Sequence, residues 1–169
     1  DPSFTGLFAG QETFVALAEA KKPTIAAVNG FAVTGALELV ISCDIIIAGE
    51  SARFADTHAR VGIVPGAGMS QILPRLVGPA KAREMSMTGN FVDAETALRV
   101  GLANHVVPHD DLLGVTLGLA SAIAEQQPNM IATMRKDWDE TGGLPLVEAH
   151  RRHRQTALDF GFTSVGSDT

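Results

Sequence analysis

The sequence predicts an α/β fold with a helical C-terminal region, and three observations lead to that reading. The runs TIAAV and DIIIA are continuous and β-branched, as strands buried on both faces are. Between residues 23 and 92 such runs alternate with short helical segments under Gly and Pro punctuation, the pattern of strands and helices packed in small units. After Asp93 helical periodicity takes over. Two regions are therefore expected, a partial α/β core over residues 1–92 that carries the Gly- and Pro-rich loops, and a mainly helical region over residues 93–169, joined without a flexible linker.

The elements follow in order. Residues 11–20 are Ala-rich with Phe14, Val15, Leu17 and Ala18 at helical spacing, and Lys21 and Lys22 suit a helix C-terminus ahead of Pro23. The stretch PTIAAVNGFAVTGALELVISCDIIIAG reads as strand, Gly-containing loop, helix and strand. Residues 51–68, SARFADTHARVGIVPGAG, read as a short strand, a polar turn and a Gly/Pro loop leading to a helix near Met69. AETALRVG is a helix closed by Gly101, ANHVV a short strand, and residues 110–126 and 129–140 are helices. Pro145 opens the last helix, which carries Glu148, Ala149, Arg152 and Leu158 toward Phe160. No internal repeat is visible in the sequence.

One carboxylate stands out. Glu38 lies among Ala36, Leu37, Leu39, Val40 and Ile41, and a helix apolar all round is buried, so Glu38 is expected to be buried with it. Taking an ionised carboxylate out of water is costly unless it is paired or hydrogen-bonded, and such groups cluster at functional sites. Gly35 sits one turn earlier on the same face. Free N–H groups at a helix N-terminus hold a developing oxyanion, and glycine lets a carbonyl approach closely. The alternative is that Glu38 only favours the first turn of its helix, as acidic residues do.

Composition narrows the classes. The 169 residues are 46% hydrophobic, enough for a true core. Thirteen Lys and Arg against nineteen Asp and Glu give a net charge of −6, which disfavours a general nucleic-acid surface or binding to anionic membranes. A single cysteine, Cys43, excludes an internal disulfide and reads as a small core residue in a reducing, cytoplasmic setting. No bilayer-length apolar run and no signal-peptide pattern occurs. The chain opens at Asp1 and closes on TSVGSDT, and is read as a piece of a longer polypeptide.

Three segments in order, AAVNGFAVTGALELVISCDIIIAG, FADTHARVGIVPGAG and EMSMTGNFVDAETALRVGLANHVVP, resemble the enoyl-CoA hydratase/isomerase, or crotonase, family. The resemblance implies a spiral of ββα units, like that of Clp-type proteases, with a C-terminal helical region that builds trimers or hexamers. It implies that the Gly35 amide binds the acyl-CoA thioester oxygen and that Glu38 is the first catalytic glutamate, acting on the water that adds to a trans-2-enoyl-CoA. Thr34, Pro65 and Gly66 are the further expected substrate contacts. The only partner implied beyond other copies of the chain is the acyl-CoA thioester, in fatty-acid or related metabolism, and no separate cofactor is expected.

At His58 the sequence departs from the two-carboxylate pattern, in which a second glutamate stands there. A histidine can do acid–base work, hydrogen-bond within its loop, or point at substrate without titrating. Family isomerases characteristically keep the second glutamate and dispense with the first, so the reverse arrangement favours a hydratase. Isomerisation, thioester hydrolysis and catalytically weak acyl-CoA binding remain as alternatives. The family's other oxyanion amide comes from a segment that residues 1–10 do not match, and the resemblance ends before a last helix that commonly contacts CoA.

Other features have simpler readings. Gly66 and Gly68 do not form a dinucleotide fingerprint, and GAGMS is not a serine-hydrolase elbow. His58, His105, His109, His150 and His153 show no recognised metal-ligand spacing, so no metal is expected. The basic run from His150 through Arg154 is either a solvated helix face or a partner for phosphates or a neighbouring subunit. Trp138 and Phe160 read as packing residues.

Overall fold

The computed structural model describes residues 11–161. The expectations concerning residues 1–10 and the terminal TSVGSDT lie outside the described residues. The chain divides into two units, the first made of Thr24–Ser121 with the helix α1 (Gln11–Ala18), the second of Lys21–Pro23 with everything from Ala122 onward.

The first unit is built from strand–strand–helix repeats that the sequence does not show as repeats. β1 (Ile25–Val28), β2 (Phe31–Val33) and α2 (Gly35–Ile41) form one, and β3 (Ile45–Gly49), β4 (Arg53–Ala55) and α3 (His58–Val61) form the next. β1 pairs in parallel with β3, Ile25 against Ile45, and β2 in parallel with β4, Val33 against Ala55. Each strand of one unit thus lies beside its counterpart in the next. Backbone geometry repeats here while side chains do not, which is why periodicity in residue type could not reveal it.

Side chains reinforce the register. Asp44 Oδ2 accepts from the main-chain N–H and the hydroxyl of Thr24, each at 2.7 Å, and the Asp44 N–H donates back to the Thr24 hydroxyl at 3.1 Å. These bonds pin the starts of β1 and β3 together. At the other side of β3 comes β6 (His105–Val107), also parallel, and the Asn104 side chain extends the pairing by accepting the Ile46 N–H at 2.8 Å. β5 (Val92–Asp93) closes the second sheet antiparallel to β4. Asp93, where a change of architecture is expected, therefore lies inside this unit's sheets.

Burial follows sheet position. β3 is central in its sheet and almost wholly buried, whereas β1 at the sheet's edge is only half-buried, less than its apolar sequence suggests. The core joins Leu37 and Ile41 of α2, Ile46 and Ala48 of β3 and Phe54 of β4. Onto them pack Met69, Leu73 and Val77 of α4 (Met69–Val77), Ala82 and Met85 of α5 (Pro79–Thr88), and Ala94 and Ala97 of α6 (Ala94–Arg99). Asp93 caps α6 by accepting the Thr96 N–H at 2.8 Å, and Gly101 ends that helix region at φ 83°, in the left-handed conformation glycine favours. A 3-10 turn, His109–Asp111, leads into α7 (Leu112–Ala124).

The second unit is a helical hairpin of α8 (Pro128–Thr141) and α9 (Leu146–Asp159), each introduced by proline, Pro145 being the start the sequence predicts for the last helix. Asp137 is buried against the His153 ring, Nδ1 to Oδ2 at 2.7 Å, and that hydrogen bond holds its carboxyl below the usual range. Arg152 and Arg151 of the basic run face Glu140 and Glu148 at 3.9 and 3.5 Å, on an exposed face. Trp138 and Phe160, read as packing residues, are 64% and 43% exposed. Among the described residues no helix is long and apolar enough to cross a membrane.

Candidate active site at the strand ends

The site forms where two equivalent strand-to-helix turns meet. β2 ends at Val33 and β4 at Ala55, and their parallel register sets the residues that follow, Thr34-Gly35 and Asp56-Thr57-His58, side by side. Thr34 donates its N–H to the Ala55 carbonyl at 3.0 Å, and the Thr34 and Thr57 hydroxyls share a short hydrogen bond. In open parallel sheets such carboxyl ends are where ligands bind.

Thr34 has φ 56° and ψ −115°, the one non-glycine residue at positive φ among those described. Such a conformation costs on the order of 1–3 kcal/mol and persists only where its surroundings hold it. Here they do, through the two bonds just described. The turn carries the chain from β2 into α2, so that Gly35 becomes the first helical residue and Glu38 closes the first turn by donating its N–H to the Thr34 carbonyl at 3.0 Å. Among the described residues none accepts from the Gly35 N–H, as helix geometry requires of a first residue. A Cβ built on Gly35 would meet nothing within 4 Å, so the backbone there faces open space.

Glu38 is 4% exposed, yet α2 is not buried all round as its sequence suggests. Leu37 and Ile41 point into the core while Ala36 is exposed and Leu39 is 40% exposed. A seven-residue helix lying against one sheet can bury only one face, and Glu38 shares that face. Its Oε1 accepts the main-chain N–H of Ala67 at 2.8 Å, and its Oε2 lies 3.6 Å from His58 Nε2.

His58 is buried as well. Its Nδ1 lies 2.6 Å from Asp56 Oδ1, which also accepts the His58 main-chain N–H at 3.2 Å. Asp56 is wholly enclosed; burial pushes its carboxyl up, but hydrogen bonds from Ser86 of α5 and from His58 outweigh it and leave the carboxyl below its usual range. Three ionisable side chains thus stand in a row, Asp56, His58 and Glu38, with the Ala67 amide at the far end.

The loop after α3 carries Pro65 and Gly66, with Ala67 as the residue that reaches Glu38. Gly62 ends α3 at φ 70°, and Gly68 opens α4 at φ 94°. Pro65 is half-buried and Gly66 exposed. Glu38, His58, Thr34 and Gly35 are brought together as the sequence suggests. Sequence reasoning did not single out Asp56, Thr57 or Ala67. The Asp-x-His spacing was the available signal for Asp56, whereas Ala67 acts through its main chain and leaves no signal in residue type. Among the described residues no group of three His, Cys, Asp or Glu side chains is arranged so that it could hold a metal ion. Two surface depressions in the second unit, one beside Lys136 and Arg152 and one beside Met134 and Trp138, touch none of these residues.

Stacked strand–strand–helix units with a buried carboxylate at their strand ends define a crotonase-type domain. The solved enoyl-CoA hydratase subunit I of Geobacillus kaustophilus superposes with a TM-score of 0.86 at 34% identity, over 95% of this chain and 62% of that one. The probable peroxisomal enoyl-CoA hydratase 1 of Arabidopsis thaliana is 41% identical across 77% of this chain and 48% of its own length. Carnitinyl-CoA dehydratase of Citrobacter koseri is also 41% identical, across 81% of this chain and 52% of its own. The enoyl-CoA hydratase/isomerase family profile matches residues 6–161, and the chain belongs to that family. It spans about half the length of the curated relatives it matches.

Proposed function

We propose that this chain carries the acid–base site of a hydratase that adds water across the double bond of a trans-2-enoyl-CoA thioester. The observation that supports it most is the buried Glu38 carboxylate, one turn from an unengaged Gly35 N–H and 3.6 Å from the His58 ring. As water oxygen bonds to the β-carbon, Glu38 takes the water proton. The π pair moves toward the thioester, whose oxygen gains charge and is met by the Gly35 N–H. Glu38 hands that proton to His58 Nε2, which delivers it to the α-carbon. One water is consumed and every proton is accounted for.

This order uses His58 where two-carboxylate family members use a second glutamate. In the alternative, Glu38 passes the same water proton onward and His58 only positions it. In this reading Thr34, Pro65 and Gly66 are the further substrate contacts. The chemistry needs no cofactor beyond the CoA of the substrate. The similarity to proteins named for hydratase and dehydratase reactions on CoA esters supports a hydro-lyase over an isomerase or thioester hydrolase. Trimeric or hexameric assembly and a cytoplasmic setting belong to the same proposal.

The test follows loss of the enoyl thioester absorbance with crotonyl-CoA. Wild-type turnover with a fall of about 10²–10⁴-fold in Glu38→Gln supports the reading. Full activity in Glu38→Gln overturns the mechanism, and tight ester binding by a wild-type chain that never turns over favours an acyl-CoA-binding protein instead.

A further inference from the structure

We infer that Asp56 is the positioning residue of this site, holding the His58 ring through Nδ1 so that Nε2 is the nitrogen presented to Glu38. The inference rests on the acid–base reading of Glu38 and His58 and extends it by one residue.

Geometry carries the argument. A carboxylate oxygen 2.6 Å from a ring nitrogen leaves no room for two facing lone pairs, so Nδ1 carries a hydrogen and Asp56 accepts it. The same oxygen accepts the His58 main-chain N–H, so ring and backbone are tied to one atom and ring rotation is checked. Asp56 is 1% exposed and holds its place through Ser86 as well as His58. Which nitrogen of a histidine is free is set by the bond the other one makes. With Nδ1 engaged, Nε2 is the nitrogen free to exchange a proton, and it is the one that faces Glu38 Oε2.

Among the described residues the ion-pair partners of the His58 ring are Glu38 and Asp56. Glu38 arrives from α2 and Asp56 from the end of β4, where Ser86 of α5 bonds the Asp56 carboxylate. Arg60, two residues on, is engaged with the Thr88 carbonyl and the Asn90 side chain. A structural anchor for the loop would need only an acceptor for the backbone N–H. The short ring contact goes beyond that need.

The experiment has two arms. In the first, the full chain is labelled with 15N-histidine, His58 is assigned by the signal lost in His58→Gln, and its ring nitrogens are read at neutral pH. A hydrogen on Nδ1 is expected; a neutral ring protonated only at Nε2 overturns the proposal. In the second, Asp56→Asn keeps an acceptor but loses the charge. Turnover of crotonyl-CoA is expected to fall by at least about tenfold in kcat with KM changed less than about twofold, and a limb of the pH–rate profile is expected to move. Unchanged kcat and pH profile overturn the proposal. The first arm does not require turnover, so loss of the hydratase reading and loss of the Asp56 assignment are told apart.

Discussion

Oε1 of Glu38 accepts the main-chain N–H of Ala67 at 2.8 Å, joining the helix that carries the carboxylate to a loop 29 residues further on. The bond fixes one oxygen and leaves the other toward His58. Glu38→Gln preserves an acceptor for that N–H, whereas Glu38→Leu does not. Urea denaturation should therefore show Glu38→Gln close to wild type and Glu38→Leu less stable by about 1 kcal/mol or more. Equal stability of the two variants would mean that the bond does not hold the loop.

Gly35 separates folding from binding. A Cβ added there would meet nothing within 4 Å and its helix position tolerates alanine, so Gly35→Ala should melt at or above the wild-type temperature. The added methyl would occupy the space where a thioester oxygen must approach, and KM for crotonyl-CoA should rise with kcat falling. A Gly35→Ala chain with unaltered kinetics would remove this amide from the proposed oxyanion contact.

Thr34 offers a test of strain. Thr34→Val keeps the β-branched side chain at positive φ and loses the hydroxyl bond to Thr57, and should cost about 1 kcal/mol. Thr34→Gly loses the same hydroxyl but relieves the backbone. Calorimetry should place Thr34→Gly above Thr34→Val, and the reverse order would show that the turn is not strained.

Asp56 predicts the acid side of stability. Its folded carboxyl lies below the ordinary value of about 3.9, so the stabilisation it supplies is fully present above that value. It is lost as pH falls through the lower folded value. Urea midpoints of wild type and Asp56→Asn should differ at pH 7 and converge in strongly acid solution. A gap that stays constant with pH would assign the effect of Asp56 to packing alone.

What the sequence determined by itself was local. One helical turn relates Gly35 to Glu38, so their common face could be read from spacing, and continuous β-branched runs marked the strands. The helical character of the last third and the proline start of α9 were legible for the same reason.

Only the tertiary structure decided how Glu38 meets His58. That meeting depends on parallel pairing of β2 with β4, Val33 against Ala55, which stacks two unlike sequences into equivalent turns. It also decided that α2 buries one face rather than all of its surface, and that an alanine amide holds the carboxylate. Main-chain hydrogen bonds between distant segments are indifferent to side-chain identity. No reading of residue types along the chain could supply them.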